Sequence, residues 1–181
     1  MLACQCRSVL RGTPTSAAYT AFNKAHARVE TYLLCTSGIG CALPRNHALA
    51  ARCSLSLADL AAVPLISLGP QQPVGPLVQA AQAGAESAAR LAIEVSQSSI
   101  ACALVRSGAG VAILDGFGLA EAAAQGLVVR PLTPRIPLDV TLIVCRGRVP
   151  LRLVHALRAG IEQTASASAG WPSARRCRGL V

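Results

Sequence analysis

Short apolar runs alternate along the chain with stretches whose apolar residues recur at helical spacing. The runs are rich in Val, Ile and Leu, as buried strands are. They predict strands at 39–43, 64–68, 91–96, 111–114, 127–132 and 140–147. The helical spacing predicts helices at 54–63, 76–89, 98–107, 120–125 and 150–164, with a weaker indication at 17–32. Strands that alternate with helices indicate an α/β fold on a parallel or mixed sheet.

The most distinctive stretch is SSIACALVRSGAGVAILDGFG, residues 98–118, because it joins a glycine pair to a predicted helix and strand. A dinucleotide-binding fingerprint needs a strand, then G-x-G-x-x-G, then a helix whose N-terminus receives the pyrophosphate. Here the helix precedes Gly108 and Gly110, the strand follows them, and Ile113 holds the third glycine position. We predict instead that Gly108 ends the helix in a left-handed turn and that Gly110 lets the strand start close to the helix.

Two features of this stretch are candidates for ligand binding. Ser98 and Ser99 stand where a helix N-cap belongs, so their hydroxyls and the free backbone N–H groups could bind an anion. Asp115, Gly116 and Phe117 follow a predicted strand at its carboxyl end, where ligands lie in open α/β sheets. The structural alternatives are plain capping by the serines, a turn before glycine at Asp115, and a core position for Phe117.

The formal charge of +9 suggests a polyanionic partner until its distribution is considered. Residues 31–145 are neutral, because their six arginines are matched by six acids. The other eleven Lys and Arg residues lie in the first 30 and last 36 positions. Aromatic residues make up only 3% of the chain, which leaves few surfaces for base stacking. We therefore expect solvated ends, including a disordered basic tail at 165–181, rather than a nucleic-acid interface.

Composition also bears on redox chemistry, metals and membranes. Eight cysteines occur without a CxxC pair or an export signal, and the histidines are His26, His47 and His155. We expect no disulfide framework, no metal and no cofactor, with Cys102 and Cys145 as core residues. No apolar run reaches the roughly 18 residues that a membrane span needs, and we expect a cytoplasmic protein.

Catalytic patterns do not appear. The sequence has no G-x-S-x-G elbow and no Ser-x-x-Lys pair, and DGFG lacks the other elements of a kinase. His47, in PRNHALA, is expected to hold a turn rather than act as a general base. The sequence thus predicts a binding protein, not an enzyme.

Three segments, in this order, resemble the effector-binding domain of LysR-type transcriptional regulators. CALPRNHALAARCSLSLADLAAVPLISL is similar to the family's strand, LP-x-x-H-x-LA turn, helix and next strand. IEVSQSSIACALVRSGAGVAILDGFG resembles its strand, capped helix, G-x-G-x-A turn and strand, in a form most similar to regulators of opines and amino acids. LVVRPLTPRIPLDVTLIVCRG, followed by a helix, is similar to the return to the first lobe. The resemblance covers residues 34–164.

The resemblance implies a type 2 periplasmic-binding-protein-like fold, with a small effector held between two α/β lobes. It implies a complete second lobe at 64–126 and a partial first lobe at 34–63 and 127–164, with residues 1–33 unassigned. If the effector is an amino acid, Ser98 and Ser99 would take its carboxylate and Asp115 its ammonium. The implied effector-binding residues are Ser67, Gly69, Gln71, Ser96, Ser98, Ser99, Asp115, Gly116 and Phe117.

The same resemblance implies the partners: a small-molecule effector, a second copy in a homodimer, and DNA only through a helix-turn-helix that is not recognisable in this chain. Two other interpretations stay open. A solute-binding protein of a transport system shares the fold, although it should carry an export signal. A non-functional truncated gene product would lack the front of the first lobe, and we would expect it to aggregate or to need a partner.

Overall fold

The computed structural model describes residues 17–20, 29–83 and 91–145, together with six helical positions between 152 and 163. The described residues fall into two compact units. The first unit takes the chain up to Ser37 and again from Asp139, and the second unit takes Gly38–Leu138. No helix within the described residues is long and apolar enough to cross a membrane.

The elements of the two units follow the predicted alternation of strands and helices. The described strands are β1 (Ala17–Thr20), β2 (Val29–Gly38), β3 (Gly40–Leu43), β4 (Leu65–Leu68), β5 (Leu91–Val95), β6 (Val111–Leu114), β7 (Val128–Pro131) and β8 (Pro137–Cys145). The described α-helices are α1 (Val74–Ala83), α2 (Ser98–Arg106) and α3 (Gly116–Ala124), and 3-10 turns lie at Ala48–Ala51 and Ala58–Leu60.

The first unit contains a three-stranded sheet in the order β1-β8-β2. β1 runs antiparallel to β8, with Ala17 opposite Val144 and Thr20 opposite Thr141. The weak helix prediction at 17–32 is therefore wrong, since Ala17–Thr20 pairs with β8 and β2 begins at Val29. Residues 1–33, which the sequence left unassigned, supply β1 and the start of β2.

The second unit contains a five-stranded mixed sheet in the order β5-β4-β6-β3-β7. β4 is parallel to β5 and β6, whereas β3 is antiparallel to β6 and β7. Every residue of β3, β4 and β6 is buried, as central strands covered on both faces require. Because β3 and β7 complete this sheet, the predicted lobe boundaries at 64 and 126 are corrected to Gly38 and Leu138.

The helices of the second unit lie on opposite faces of its sheet. In the strand order, the connection from β4 through α1 to β5 moves toward the β5 end of the sheet. The connections through α2 to β6 and through α3 to β7 move in the opposite direction, toward the β7 end. Right-handed crossovers therefore place α1 on one face and both α2 and α3 on the other. In agreement, α2 and α3 contact each other, and α2 buries Ala101, Cys102 and Val105.

Most predicted helices are present, with changed limits. The helix expected at 54–63 is reduced to the Ala58–Leu60 turn, shortly before Pro64. At its start Ser56 and Asp59 cap each other: the Ser56 N–H donates to Asp59 Oδ2 at 2.8 Å, and the Asp59 N–H donates to Ser56 Oγ at 3.2 Å.

Several predictions fall partly or wholly outside the described residues. Of the helix predicted at 76–89, the structure describes the part up to Ala83, within α1. The described positions of the 150–164 prediction are helical and exposed, as the polar face of an amphipathic helix would be. The tail at 165–181 and the side chain of Cys145 lie outside the described residues.

Candidate functional site

Three parallel strands of the second unit end at the same edge of its sheet. β4, β5 and β6 end at Leu68, Val95 and Leu114, and each leads into a helix after at most five residues. We call residues 69–73, 96–99 and 115–118, which follow these strands, the carboxyl edge. The N-termini of α1, α2 and α3 all begin there. Helix N-termini present free N–H groups and positive dipole ends, so this edge favours an anion.

A crevice is expected at the carboxyl edge between β4 and β6. These strands are neighbours, but the chain leaves β4 for α1 on one face and leaves β6 for α3 on the other. Where the connections diverge in this way, the loops separate and open a gap outside the strand ends. The crevice lies wholly within the second unit.

Backbone contacts hold the loop after β4 in one position. The Gly69 N–H donates to Val95 O at 3.0 Å, and Gln72 Nε2 donates to Ser96 O at 3.2 Å, so the loop is bonded to the end of β5. The start of α1 packs on the same loop, because a Cβ on Gly75 would lie 2.6 Å from Gly69 O. The loop after β4 is therefore fixed by hydrogen bonds to the end of β5 and by packing against the start of α1.

The serines at the start of α2 differ from the prediction in one respect. Gln97 is the N-cap residue and its side chain makes no capping hydrogen bond, so Ser98 and Ser99 lie in the first helical turn. Ser98 is half-buried and faces α3, where a Cβ on Gly118 would lie 3.0 Å from Ser98 Oγ. Ser99 is exposed. The start of α2 thus lacks a side-chain cap.

Asp115 has a structural role in this edge. Its Oδ1 accepts a hydrogen bond from the Gly118 N–H at 2.8 Å and caps α3. This cap also explains why α3 starts at Gly116, before the predicted 120. Phe117, in the first turn of α3, is 42% exposed and so is not a core residue.

Eight of the nine predicted effector-binding residues lie on the carboxyl edge. Ser67 is the exception: it is buried in β4, and its hydroxyl donates to Leu68 O at 3.3 Å. Gln71 and Ser96 are exposed. One charged residue beside the edge was not predicted. Glu94 pairs in register with Ser67, and its carboxylate lies against Gly69. Its position in the alternating pattern of β5, in phase with Ser96, is the signal that could have identified it.

The glycine pair of the opening motif lies at the opposite ends of these strands. We call the residues that precede β4, β6 and β7, around Pro64, Gly110 and Gly126, the amino edge. Gly108 has φ of +82° and ends α2 in the predicted left-handed turn. Gly110 packs against Pro64, before β4, and not against the helix as predicted: its Cβ would lie 2.3 Å from Pro64 O.

Polar side chains at the amino edge bond to the backbone. His47 Nδ1 accepts from the Leu49 N–H at 3.2 Å and caps the Ala48–Ala51 turn, which is the structural role expected for it. Arg45 Nε donates to the carbonyl of Gly126 at 2.7 Å. Gly126 has φ of +81°. These groups close turns and face no helix N-terminus of α1, α2 or α3.

Two of the three described cysteines in the second unit suit packing rather than chemistry, whereas Cys53 is exposed. Cys41 and Cys102 are buried, as expected for Cys102. Burial raises the pKa of the Cys41 thiol, and burial followed by the nearby Glu121 carboxylate raises that of Cys102. In the ranges that the structure describes, no three His, Cys, Asp or Glu side chains are grouped as metal ligands would be.

Comparison with known proteins gives one consistent family. A sequence model described as the LysR substrate binding domain matches residues 15–166. The transcriptional activator protein LysR of Escherichia coli is 30% identical over 127 residues, which are 68% of this chain and 41% of that protein. The chain therefore spans less than half the length of this relative.

Solved structures show the same fold. The regulatory domain of reduced OxyR from Pseudomonas aeruginosa superposes with a TM-score of 0.73 at 23% identity, covering 87% of this chain and 78% of that chain. The effector-binding domain of QuiR in complex with shikimate gives a TM-score of 0.68 at 16% identity, covering 84% of this chain and 72% of that chain.

Proposed function

Since the chain belongs to the LysR substrate-binding-domain family, we propose that it senses a small carboxylate-bearing effector at the carboxyl edge of the second unit. The observation that carries this proposal is the meeting of three helix N-termini at one edge, beside the divergence of the chain after β4 and β6. An amino acid or an opine is the effector class that the sequence favours. The shikimate complex of QuiR supports a carboxylate ligand for this fold.

The start of α2 is the best candidate for the carboxylate. Its first N–H groups have no side-chain cap, and the hydroxyls of Ser98 and Ser99 lie in the same turn. Each hydrogen bond to a charged group contributes about 1.5–3 kcal/mol. Two or three such bonds correspond to dissociation constants from the millimolar to the micromolar range, at about 1.4 kcal/mol per tenfold change. That range is useful for sensing a metabolite.

The remaining steps of regulation are part of the same proposal. The effector would shift the balance between two arrangements of the domain, as differential binding requires. The change would be passed in the cytoplasm, through a homodimer, to a DNA-binding helix-turn-helix. The match to less than half of the Escherichia coli relative makes DNA binding a property to be tested with the rest of a regulator, not with these residues alone.

Calorimetric titration of the purified chain with a panel of amino acids, opines and shikimate tests the proposal. We expect at least one to bind, and the double variant S98A/S99A to weaken it about tenfold or more. Ser107→Ala is the matched control, because its hydroxyl donates to Leu104 O at the other end of α2 and faces away from the edge. A folded chain that binds no panel member, or equal losses in the serine pair and in Ser107→Ala, would contradict the proposal.

A further inference from the structure

The register of β5 against β4 brings a carboxylate to the carboxyl edge. In this parallel pair Ser67 lies opposite Glu94, and Leu68 lies opposite Val95. Neighbouring strands are about 4.8 Å apart, and residues in register project from the same face. The Glu94 side chain therefore leaves the sheet beside Ser67, one residue before the strand ends. Glu94 is exposed, so its carboxylate is open to a ligand.

Gly69 provides the space in which the Glu94 carboxylate lies. A Cβ at position 69 would be 2.7 Å from Glu94 Oε1, which is too short for a real contact, and 3.2 Å from Cδ, so the Glu94 carboxylate would have to move away from the loop. Gly69 is itself fixed to β5, because its N–H donates to Val95 O at 3.0 Å. The carboxylate is thus placed on the loop that forms one side of the crevice between β4 and β6.

The other carboxylates of this region already have partners. Asp115 Oδ1 accepts from the Gly118 N–H, and Glu121 Oε1 accepts from Gln125 Nε2 at 3.1 Å. In the part of the chain that the structure describes, the ion pair that forms joins Arg52 to Asp59, and Glu94 belongs to none. Asp115 also lies at the positive end of α3, where its carboxylate caps the helix and is less suited to bind a cation.

The carboxyl edge therefore presents two groups of opposite polarity at different places: the positive N-terminal end of α2 and the negative carboxylate of Glu94. The start of α2 offers free N–H groups and hydroxyls to an anion, and Glu94, four residues earlier, offers a carboxylate to a cation. We propose that Glu94 determines the specificity of the site for zwitterions, pairing with an effector's ammonium or guanidinium while the effector's carboxylate lies at α2. This inference rests on the proposed function and reassigns the cationic group from Asp115 to Glu94.

Matched ligands separate the two halves of the site. Each amino acid of the panel is titrated beside the 2-hydroxy acid of the same carbon skeleton, for example L-glutamate with 2-hydroxyglutarate and L-alanine with lactate. The wild-type chain should prefer the amino acid. In Glu94→Gln the amino acid should bind about tenfold more weakly while the hydroxy acid binds as before, so the preference is lost. Glu121→Gln, which makes the same change of charge on α3, should keep the wild-type preference.

Three results would overturn the assignment. An unchanged preference in Glu94→Gln excludes Glu94, and loss of the preference in Asp115→Asn instead restores Asp115 to that role. If Glu94→Gln lowers the affinity for the amino acid and for its hydroxy acid equally, Glu94 supports the loop and does not bind the ammonium of the effector. In these cases the serine variants still test the proposed function. A wild-type chain that binds neither member of any pair, and no opine or shikimate, overturns both proposals.

Discussion

The two ends of the strands in the second unit use their polar groups differently. At the amino edge, side chains bond to the backbone, as Arg45 does to the Gly126 carbonyl. Glycines there allow segments to lie close together, as Gly110 does against Pro64. At the carboxyl edge, three helices begin, and only part of their polar surface is used internally. The Glu94 carboxylate and the first turn of α2 are open to solvent or ligand there.

If the proposed function holds, the difference lets a single sheet combine stability with recognition. Groups that bond to the backbone at the amino edge hold turns in place, so their loss should lower stability and leave binding intact. Groups at the other end are not needed to close the chain, so their loss should cost binding first. Residues such as Asp115 and Gly118 belong to both classes, because they shape the recognition end. The following predictions test this division, in order of decreasing effect.

The largest effect is expected at the amino edge. Gly110→Ala would place a Cβ 2.3 Å from Pro64 O. The same oxygen accepts a hydrogen bond from the Val111 N–H at 3.0 Å, so the backbones at 64 and 110 cannot move apart freely. We expect a loss of about 3 kcal/mol or more in the free energy of unfolding, measured in urea. Gly108→Ala is the control, since its φ is +82° but nothing lies within 4 Å, and it should cost about 1–2 kcal/mol. Equal costs would refute the packing argument.

A smaller loss is expected for Gly118→Ala, at the carboxyl edge. The new Cβ would lie 3.0 Å from Ser98 Oγ and 3.1 Å from Ser98 Cβ, which should cost about 1–2 kcal/mol. Ser98→Gly removes both of these atoms and leaves Leu114 Cβ, at 3.2 Å, as the remaining close contact. In a double-mutant cycle monitored by urea unfolding, the pair should therefore cost at least about 0.5 kcal/mol less than the sum of the single changes. If the changes in the free energy of unfolding are strictly additive, positions 98 and 118 are not in steric contact.

The caps of α2 and α3 give the third test. Asp115→Ala removes the bond to the Gly118 N–H and should destabilise the chain by about 1 kcal/mol, whereas Asp115→Asn should retain most of the cap. Ser99→Ala should leave stability within about 0.5 kcal/mol, since Ser99 is exposed and caps nothing. Thermal unfolding compares the three variants. A Ser99→Ala loss as large as that of Asp115→Ala would mean that the start of α2 is also built for stability.

The smallest effect is a pH dependence near the amino edge. Hydrogen bonds from the Ser56 N–H and then the Ser56 hydroxyl lower the pKa of Asp59, against the desolvation that raises it, and Arg52 lowers it further. A carboxyl group whose pKa is lowered by folding stabilises the fold above its unfolded pKa, about 3.9, and loses that effect as the pH falls through its folded pKa. Urea midpoints should therefore converge between the wild type and Asp59→Asn as the pH falls from about 5 to 3. A constant difference would contradict the linkage.

The sequence predicted the strands better than it predicted the lobes. Continuous apolar runs such as VAIL and LISL become fully buried strands, because only central strands of a covered sheet tolerate them. The partners of a strand are not encoded in its own pattern. β3, between β6 and β7, was therefore assigned to the wrong lobe, and β1 was mistaken for part of a helix because its partner β8 lies more than a hundred residues away.

The candidate site was predictable in position but not in detail. Strand order and helix starts were enough to bring Gly69, Ser96, Ser98 and Asp115 to one edge. The use of each polar group depends on distances that no sequence pattern contains. Asp115 is committed to the Gly118 N–H, whereas Glu94 comes into the site only through its register with Ser67 and the missing side chain of Gly69.

The boundaries of the second unit have a consequence for how such proteins diversify. The described residues of this unit, 38–83 and 91–138, lie between the two segments from which the first unit is assembled. The five-stranded sheet, both of its edges and every residue proposed to contact a ligand thus lie between these two segments of the chain. The two junctions fall beside Thr36 and Asp139, whose side chains are joined by a hydrogen bond of 2.7 Å between Thr36 Oγ1 and Asp139 Oδ1. If the proposed function holds, a single recombination cassette cut at this point would transfer the whole carboxyl edge between related domains.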